Sequence, residues 1–367
     1  MDTDRIAQRF PLVARPRPTC PTLAERIREV STLAEAAHHG GGLSSAATAL
    51  NRAALIASDC GLPGLARDLC WRHAELHLNP APLSGAEARY TLEPLINLAR
   101  LRLRAGDGEG AHQLLTDLNN AVKNKTKVNF DGRTLAFQDL TSTRIDHQAV
   151  CQWLWAVLLG DGTRALVVTH QWDRARKHVV QNKGVGQRLL DGRQIAIVSH
   201  SLNGDIETAQ RTLDESTPQD PWETPVAALL ATLCLRTAGK PAKDAEHVMA
   251  AQYLSLEGDP DLAVFRTRVG LAAIDLSKAD PGSVARRLVG DAVLSQDGYV
   301  ARDVLTSTEC RQEMTTQEQR RLTSFVNLAG LDKRSIPPRL EATLLGAFEN
   351  AALAVAEHHS TAVRPAD

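Results

Sequence analysis

From Thr22 nearly to the C-terminus, apolar residues return every three or four positions, and glycine, aspartate and proline interrupt them at intervals. That spacing lays the apolar side chains along one stripe of a helix, so the chain predicts a succession of amphipathic helices. One phrase recurs: a helix of about 12–15 residues, a tight Gly/Asp turn, and a second helix that opens on a small residue. Its clearest copy is Leu92 to Leu118, with the turn at Gly106-Asp107 and Ala111 after it. Others turn at Gly61 to Gly64, Gly160-Asp161-Gly162, Gly204-Asp205, Gly239-Lys240-Pro241 and Asp280-Pro281-Gly282. The alanines after these turns, at 66, 111, 165, 209, 245 and 285, lie 45, 54, 44, 36 and 40 residues apart. Glycine supplies the left-handed residue that ends the first helix, aspartate caps the second, and alanine lets the two approach closely.

The ends of the chain read differently. Four prolines in residues 1–21 (Pro11, Pro16, Pro18, Pro21) predict an irregular arm. The repeated region covers 22–290, and 291–358 is expected to hold helices that cap the array. The last of these carries Leu340, Leu344, Leu345, Phe348, Ala352 and Val355 at helical spacing; it caps the final hairpin or packs on a second copy of the chain. Residues 359–367 are expected to be a loose tail. Between Asn119 and Thr141 a long connection with Lys123, Lys125, Lys127, Phe130 and Gly132 predicts an exposed excursion.

Composition supports an all-α fold. Aromatic residues are 4% of the 367 residues, and alanine, leucine and valine carry the apolar content, which suits helix packing better than sheets. No apolar run reaches membrane-spanning length, and charges stand throughout the first twenty residues, so a cytoplasmic chain is expected. The six cysteines are scattered, with no C-x-x-C pair, as reduced core residues would be. Arginine outnumbers lysine 33 to 9, which together with abundant alanine suggests a bacterial source of high GC content.

The hairpin phrase resembles the tetratricopeptide-repeat (TPR) superfamily. The segment 98–118 matches its pattern at Gly106, Ala111 and Leu115, and 196–221 matches at Gly204, Ala209 and Pro221. The tryptophan, glycine and tyrosine of that family's first helix are absent, and the repeat here is longer than the family's 34 residues. The resemblance covers about residues 40–290 and implies a right-handed α-solenoid of about six to seven TPR-like antiparallel helix hairpins with a C-terminal capping helix. It also implies a concave groove that binds a peptide or protein segment.

Charge singles out one part of the chain. Residues 1–120 are neutral, 121–193 carry a net +6, and 194–367 a net −7, although the whole chain is at −1. Three of the five tryptophans fall in the basic part, among histidine, arginine and lysine. On a helical period His147, Cys151 and Trp155 share one face, and His170, Arg174, Lys177 and His178 share a face of the next helix. Arginine with aromatics is the composition of interface anchors and of nucleic-acid stacking sites. Arg144, His147, Trp155, His170, Arg174, Lys177 and His178 are therefore the expected ligand-binding groove.

Catalytic signals are weak. His73 and His77 stand four apart on one helical face, a metal-like spacing, but no further ligand follows at a recognisable distance, so no metal and no cofactor are expected. The tandem His38-His39 and His358-His359 stand at helix ends, where histidine caps carbonyls. Asp146 and His147 are adjacent and point about 100° apart on a helix, a poor acid–base pair. Neither G-x-S-x-G nor a P-loop occurs. The reading is a non-catalytic scaffold, receptor or regulator. The alternatives are a nucleic-acid or phosphorylated-ligand binder working through 121–193, and a helical enzyme or accessory protein of a biosynthetic pathway. A homodimer through the C-terminal helix is a further expectation, and membrane association is not expected.

Overall fold

The computed structural model describes residues 9–77, 82–277 and 281–362, with side chains except at 40, 41, 77, 361 and 362. The described chain is helical, apart from one short β-hairpin. No described helix is long and apolar enough to cross a membrane. The chain divides into two units, one made of Thr22–Gly162 with Ala329–Asp367, the other of Met1–Pro21 with Thr163–Leu328.

In the first unit, α1 (Leu23–Ala36), α2 (Gly42–Asp59), α3 (Pro63–His77), α4 (Gly85–Arg104), α5 (Gly108–Asn124) and α6 (Arg144–Val157) each pack on the next or the next but one. Local sequence fixes where they start. Thr22 with Glu25 and Ser84 with Glu87 form reciprocal capping boxes at α1 and α4, and Asp107 accepts from the Gly110 amide to cap α5. Gly106, at φ +83°, ends α4 in the left-handed region, as the turn pattern predicts. Arg26 of α1 and Asp59 of α2 form a buried ion pair at 2.5 Å, and Arg104 of α4 reaches the same carboxylate at 3.1 Å.

Two expectations for this unit fail. The C-terminal helix (Pro338–Ala362, α18 in chain order) packs chiefly on α1 and α2, not on the final hairpin of the repeated region. There it buries Leu344, Phe348, Ala351 and Val355, so the apolar face expected to meet a second copy is covered within the unit. The helix continues to Ala362 where a loose tail was expected from 359, and the rest of that tail lies outside the described residues. The excursion after α5 is a β-hairpin, β1 (Lys127–Phe130) against β2 (Arg133–Ala136), turned by Asp131 and Gly132 at φ +50° and +79°. Its tip is fastened down. Phe130 is buried edge-on to Trp71, Arg133 lies over the same indole, and Asp131 takes Arg67 and Arg102 at 2.9 and 2.6 Å. Lys123, Lys125 and Lys127 are exposed, as expected.

The second unit runs through α7 (Thr163–Val167), α8 (Trp172–Gln181), α9 (Asp191–Leu202), α10 (Ile206–Asp214), α11 (Glu223–Thr237), α12 (Lys243–Leu254), α13 (Ala263–Leu276), α14 (Gly282–Ser295), α15 (Gly298–Thr306), α16 (Thr308–Gln312) and the start of α17 (Thr316–Ala329). Contacts again pass to the next helix and the next but one. The hairpin-opening helices α9, α11, α13 and α15 follow one another in direct contact, each on the one before. Gly204, at φ +82°, ends α9, and Asp205 caps α10, accepting from the Thr208 amide.

The turn expected at Gly160-Asp161-Gly162 is absent. A wide π-type turn, Leu158–Gly162, instead carries α6 directly into α7. The break comes later, at His170, which adopts φ +60° while its amide and that of Gln171 return to the carbonyls of Val167 and Leu166.

Candidate functional site

In the second unit the chain's own N-terminal arm lies against the hairpin-opening helices. Prolines at 11, 16, 18 and 21 remove amide donors and bar helix, so the arm must find its hydrogen bonds elsewhere. It finds them on the hairpin-opening helices. Gln194 of α9 accepts the Leu12 amide on Oε1 at 2.7 Å and donates from Nε2 to the Leu12 carbonyl at 2.6 Å, with a further bond to the Leu189 carbonyl. Leu12 and Gln194 are both fully enclosed. Three residues on, Arg15 forms a two-pronged pair with Asp191, one helical turn before Gln194, at 3.1 and 2.5 Å.

The arm then passes to α13 and α15. The Arg17 amide donates to the Asp261 carbonyl just before α13, and the Arg17 guanidinium lies 4.0 Å from the ring centroid of Tyr299 on α15. Asp297 caps α15 with one carboxylate oxygen, accepting from the Tyr299 and Val300 amides, while the other accepts the Cys20 amide at 2.9 Å. The Gly298 amide returns to the Cys20 carbonyl. Arg9 pairs with Asp275 at the far end of α13. Three acidic side chains and one amide thus hold two arginines and two backbone positions of an extended segment, with Phe10, Leu12 and Cys20 buried.

This explains the character of α9, whose residues 191–199 are all buried. A helix shielded on one side leaves a polar stripe in water; here Asp191 and Gln194 turn to the arm, and Arg193 bonds to Gly186, Thr212 and Ser216.

The seven residues expected to line a groove fall into both units. Arg144, His147 and Trp155 belong to the first, and His170, Arg174, Lys177 and His178 to the second. In the first, Arg144 is exposed, Trp155 is 40% exposed, and His147 lies 3.5 Å from Cys151 Sγ, the partner its spacing predicted. Thr143 caps α6, accepting from the Asp146 amide, while the Asp146 carboxylate accepts from the Thr143 hydroxyl and the Gly85 amide rather than orienting His147; those two bonds hold its carboxyl below the usual range.

In the second unit the expected shared face breaks up. His170 stands in the turn before α8, so it shares no helical face with the others. Arg174 and Lys177 are exposed on α8, whereas His178 is 7% exposed and turned inward beside Asn182. Trp172 is buried and Trp153 half-buried under Arg89, so these two tryptophans are not open anchors.

Among the described residues Cys151 and His147 are in contact on α6, and no group of three or more His, Cys, Asp or Glu could hold a metal. His73 is buried in α3, and the pairing with His77 falls outside the described side chains. A cavity of about 60 Å³ lined by Glu246, Met249, Ile274 and Ser277 is water-sized. The arm's partners Asp191, Gln194, Asp275, Asp297 and Tyr299 were not singled out in the sequence. The available signal was a polar pair inside an otherwise apolar helix, opposite a proline-spaced arm with unspent amides. No protein-family model, curated protein or solved structure matches the chain.

Proposed function

We propose that this chain is a non-catalytic, TPR-like helical-repeat protein that binds an extended peptide or protein segment, as a scaffold, receptor or regulator. Serial packing in the second unit supports the solenoid reading: hairpins whose contacts stop at near neighbours are the arrangement of stacked repeats, and the helices that open each hairpin there form a continuous face. The single observation that carries the binding reading is the two-bond grip of Gln194 on the Leu12 backbone. A side chain that satisfies both main-chain groups of one residue recognises extended backbone irrespective of the residue's identity, while Asp191 and Asp275 select for arginine around it.

The arm is the face's own occupant, and a partner segment of like chemistry binds there in its place: extended, apolar at the enclosed position and basic on either side. The test is a peptide-display selection on the full chain carrying Leu12→Pro and Arg15→Glu, which loosen its own arm. Peptides that stay bound in high salt and are lost when Gln194→Ala is added support the reading. No enrichment over a carrier protein, with circular dichroism unchanged, contradicts it.

A further inference from the structure

On the first unit's hairpin-opening helices α2 and α4, which are in contact, hydrogen bonds draw three polar side chains together. Asn51 of α2 donates to a carboxylate oxygen of Glu93 of α4 at 3.3 Å, and its own side-chain oxygen accepts from Asn97. Asn97 stands one turn after Glu93 and accepts from Arg100 at 3.0 Å. All three residues are half-buried, and Leu55, one turn after Asn51 on the same stripe, is 39% exposed. Their positions are those of the arm-holding residues in the second unit. Glu93 precedes the left-handed Gly106 by thirteen residues, as Asp191 precedes Gly204; Asn51 precedes the left-handed Gly61 by ten, as Gln194 precedes Gly204. Counted from the glycine that ends each helix, carboxylate corresponds to carboxylate and carboxamide to carboxamide.

What the two carboxylates bind differs. Asp191 takes both prongs of Arg15. Among the described residues Glu93 has no ion pair and its second oxygen accepts no hydrogen bond, while Arg100, two turns on, is turned to Asp161 at 2.8 Å. Shielding a carboxylate from water without a cation is costly. Burial accordingly pushes the Glu93 carboxyl above its ordinary value, with Arg100 and Asn51 opposing. Asn51 and Asn97 each donate one of their two amide hydrogens within the cluster, so each keeps a donor for a main-chain carbonyl.

We propose that this cluster is a second binding site and that its ligand is a guanidinium, the side chain of an arginine carried on an extended segment. A guanidinium fork meets a carboxylate with two parallel bonds, as Arg15 meets Asp191, whereas an ammonium meets it as a point charge. The carbonyls on either side of that arginine take the free donors of Asn51 and Asn97. The inference rests on the reading of hairpin-opening helices as segment-binding faces, and it uses none of the residues that hold the arm.

The experiment is titration of the full chain with N-acetyl-arginine amide, with free arginine and with N-acetyl-lysine amide, following the side-chain amide resonances of Asn51 and Asn97 by NMR. The blocked arginine shifts both resonances saturably, the blocked lysine binds more weakly, and Glu93→Gln weakens the arginine compound by about tenfold or more. The same variant without ligand melts no lower than the unaltered chain, because glutamine keeps the acceptor for Asn51 and removes a charge that had no cation. Asn97→Ala, read at Asn51, weakens binding too and serves if Glu93→Gln does not fold. Gln194→Ala leaves the titration unchanged, which separates a failure here from one at the arm-holding face. Tighter binding of free arginine than of the blocked compound overturns the segment as carrier. Lysine binding equal to arginine, no arginine binding, or binding indifferent to both substitutions overturns the site.

Discussion

Gln194 satisfies both backbone groups of Leu12, 182 residues away in sequence, and does so fully enclosed. Alanine in its place leaves a buried amide and a buried carbonyl of Leu12 unpaired. Gln194→Ala is expected to cost about 2–4 kcal/mol, from the groups it orphans at Leu12 and Leu189. Native-state hydrogen exchange is the sensitive readout: the Leu12 amide, protected in the unaltered chain, exchanges at near unfolded rates, while amides within α11 and α12 keep their protection.

In the first unit the corresponding commitment is ionic. Asp59→Asn leaves Arg26 enclosed opposite a neutral amide and also removes the partner of Arg104. Breaking one side of a buried pair costs about 3–5 kcal/mol, so the urea midpoint should fall accordingly. Arg104→Gln, which removes a side chain that is itself 43% exposed, should cost far less, under about 1 kcal/mol.

Two glycines in helices should respond in opposite directions to one substitution. A Cβ on Gly192 would stand 2.3 Å from the Gly184 carbonyl oxygen, a backbone atom, whereas one on Gly290 meets nothing within 4 Å. Gly192→Ala should destabilise by about 1–3 kcal/mol, and Gly290→Ala should stabilise by about 0.5–1 kcal/mol through helix propensity. Thermal melts of the two variants decide it.

Acid sensitivity should trace in part to α17. Thr315 caps that helix with Glu318, which also takes Arg286 of α14 as a two-pronged partner. Arg286 first, then the Thr315 amide, lower the Glu318 pKa to about 2 from 4.5. A depressed folded-state value adds stability that is complete above the unfolded value, near 4.5, and lost as pH falls towards 2. The pair is solvent-exposed, so the effect is small. Glu318→Gln should flatten stability against pH between those values and leave the curve above pH 6 parallel to that of the unaltered chain.

How far the sequence carried depended on the range of the interaction. Gly106-Asp107 and Gly204-Asp205 end one helix and cap the next through bonds spanning a few residues, so their pattern is legible without knowledge of the fold. The β-hairpin was legible too, in the Asp131-Gly132 turn between apolar residues, but was read as loop because helical spacing dominated on either side. Nothing local marks Gln194 as the partner of Leu12, nor α1 and α2 as the seat of the C-terminal helix, since these pairings depend on chain closure over most of the sequence. His170 shows the limit of helical-face reasoning: the face is real only if the helix includes the residue, and a left-handed turn removed it.

The central claim is that the face formed by α9, α13 and α15 recognises extended backbone, and a peptide supplied in trans tests it most directly. A fluorescent peptide of residues 9–21 is titrated into the full chain carrying Leu12→Pro and Arg15→Glu, with anisotropy as the signal and circular dichroism to verify the helices. Saturable binding that disappears when Gln194→Ala is added is the predicted result. A folded variant that leaves the peptide free, or binds it equally well without Gln194, would contradict the account.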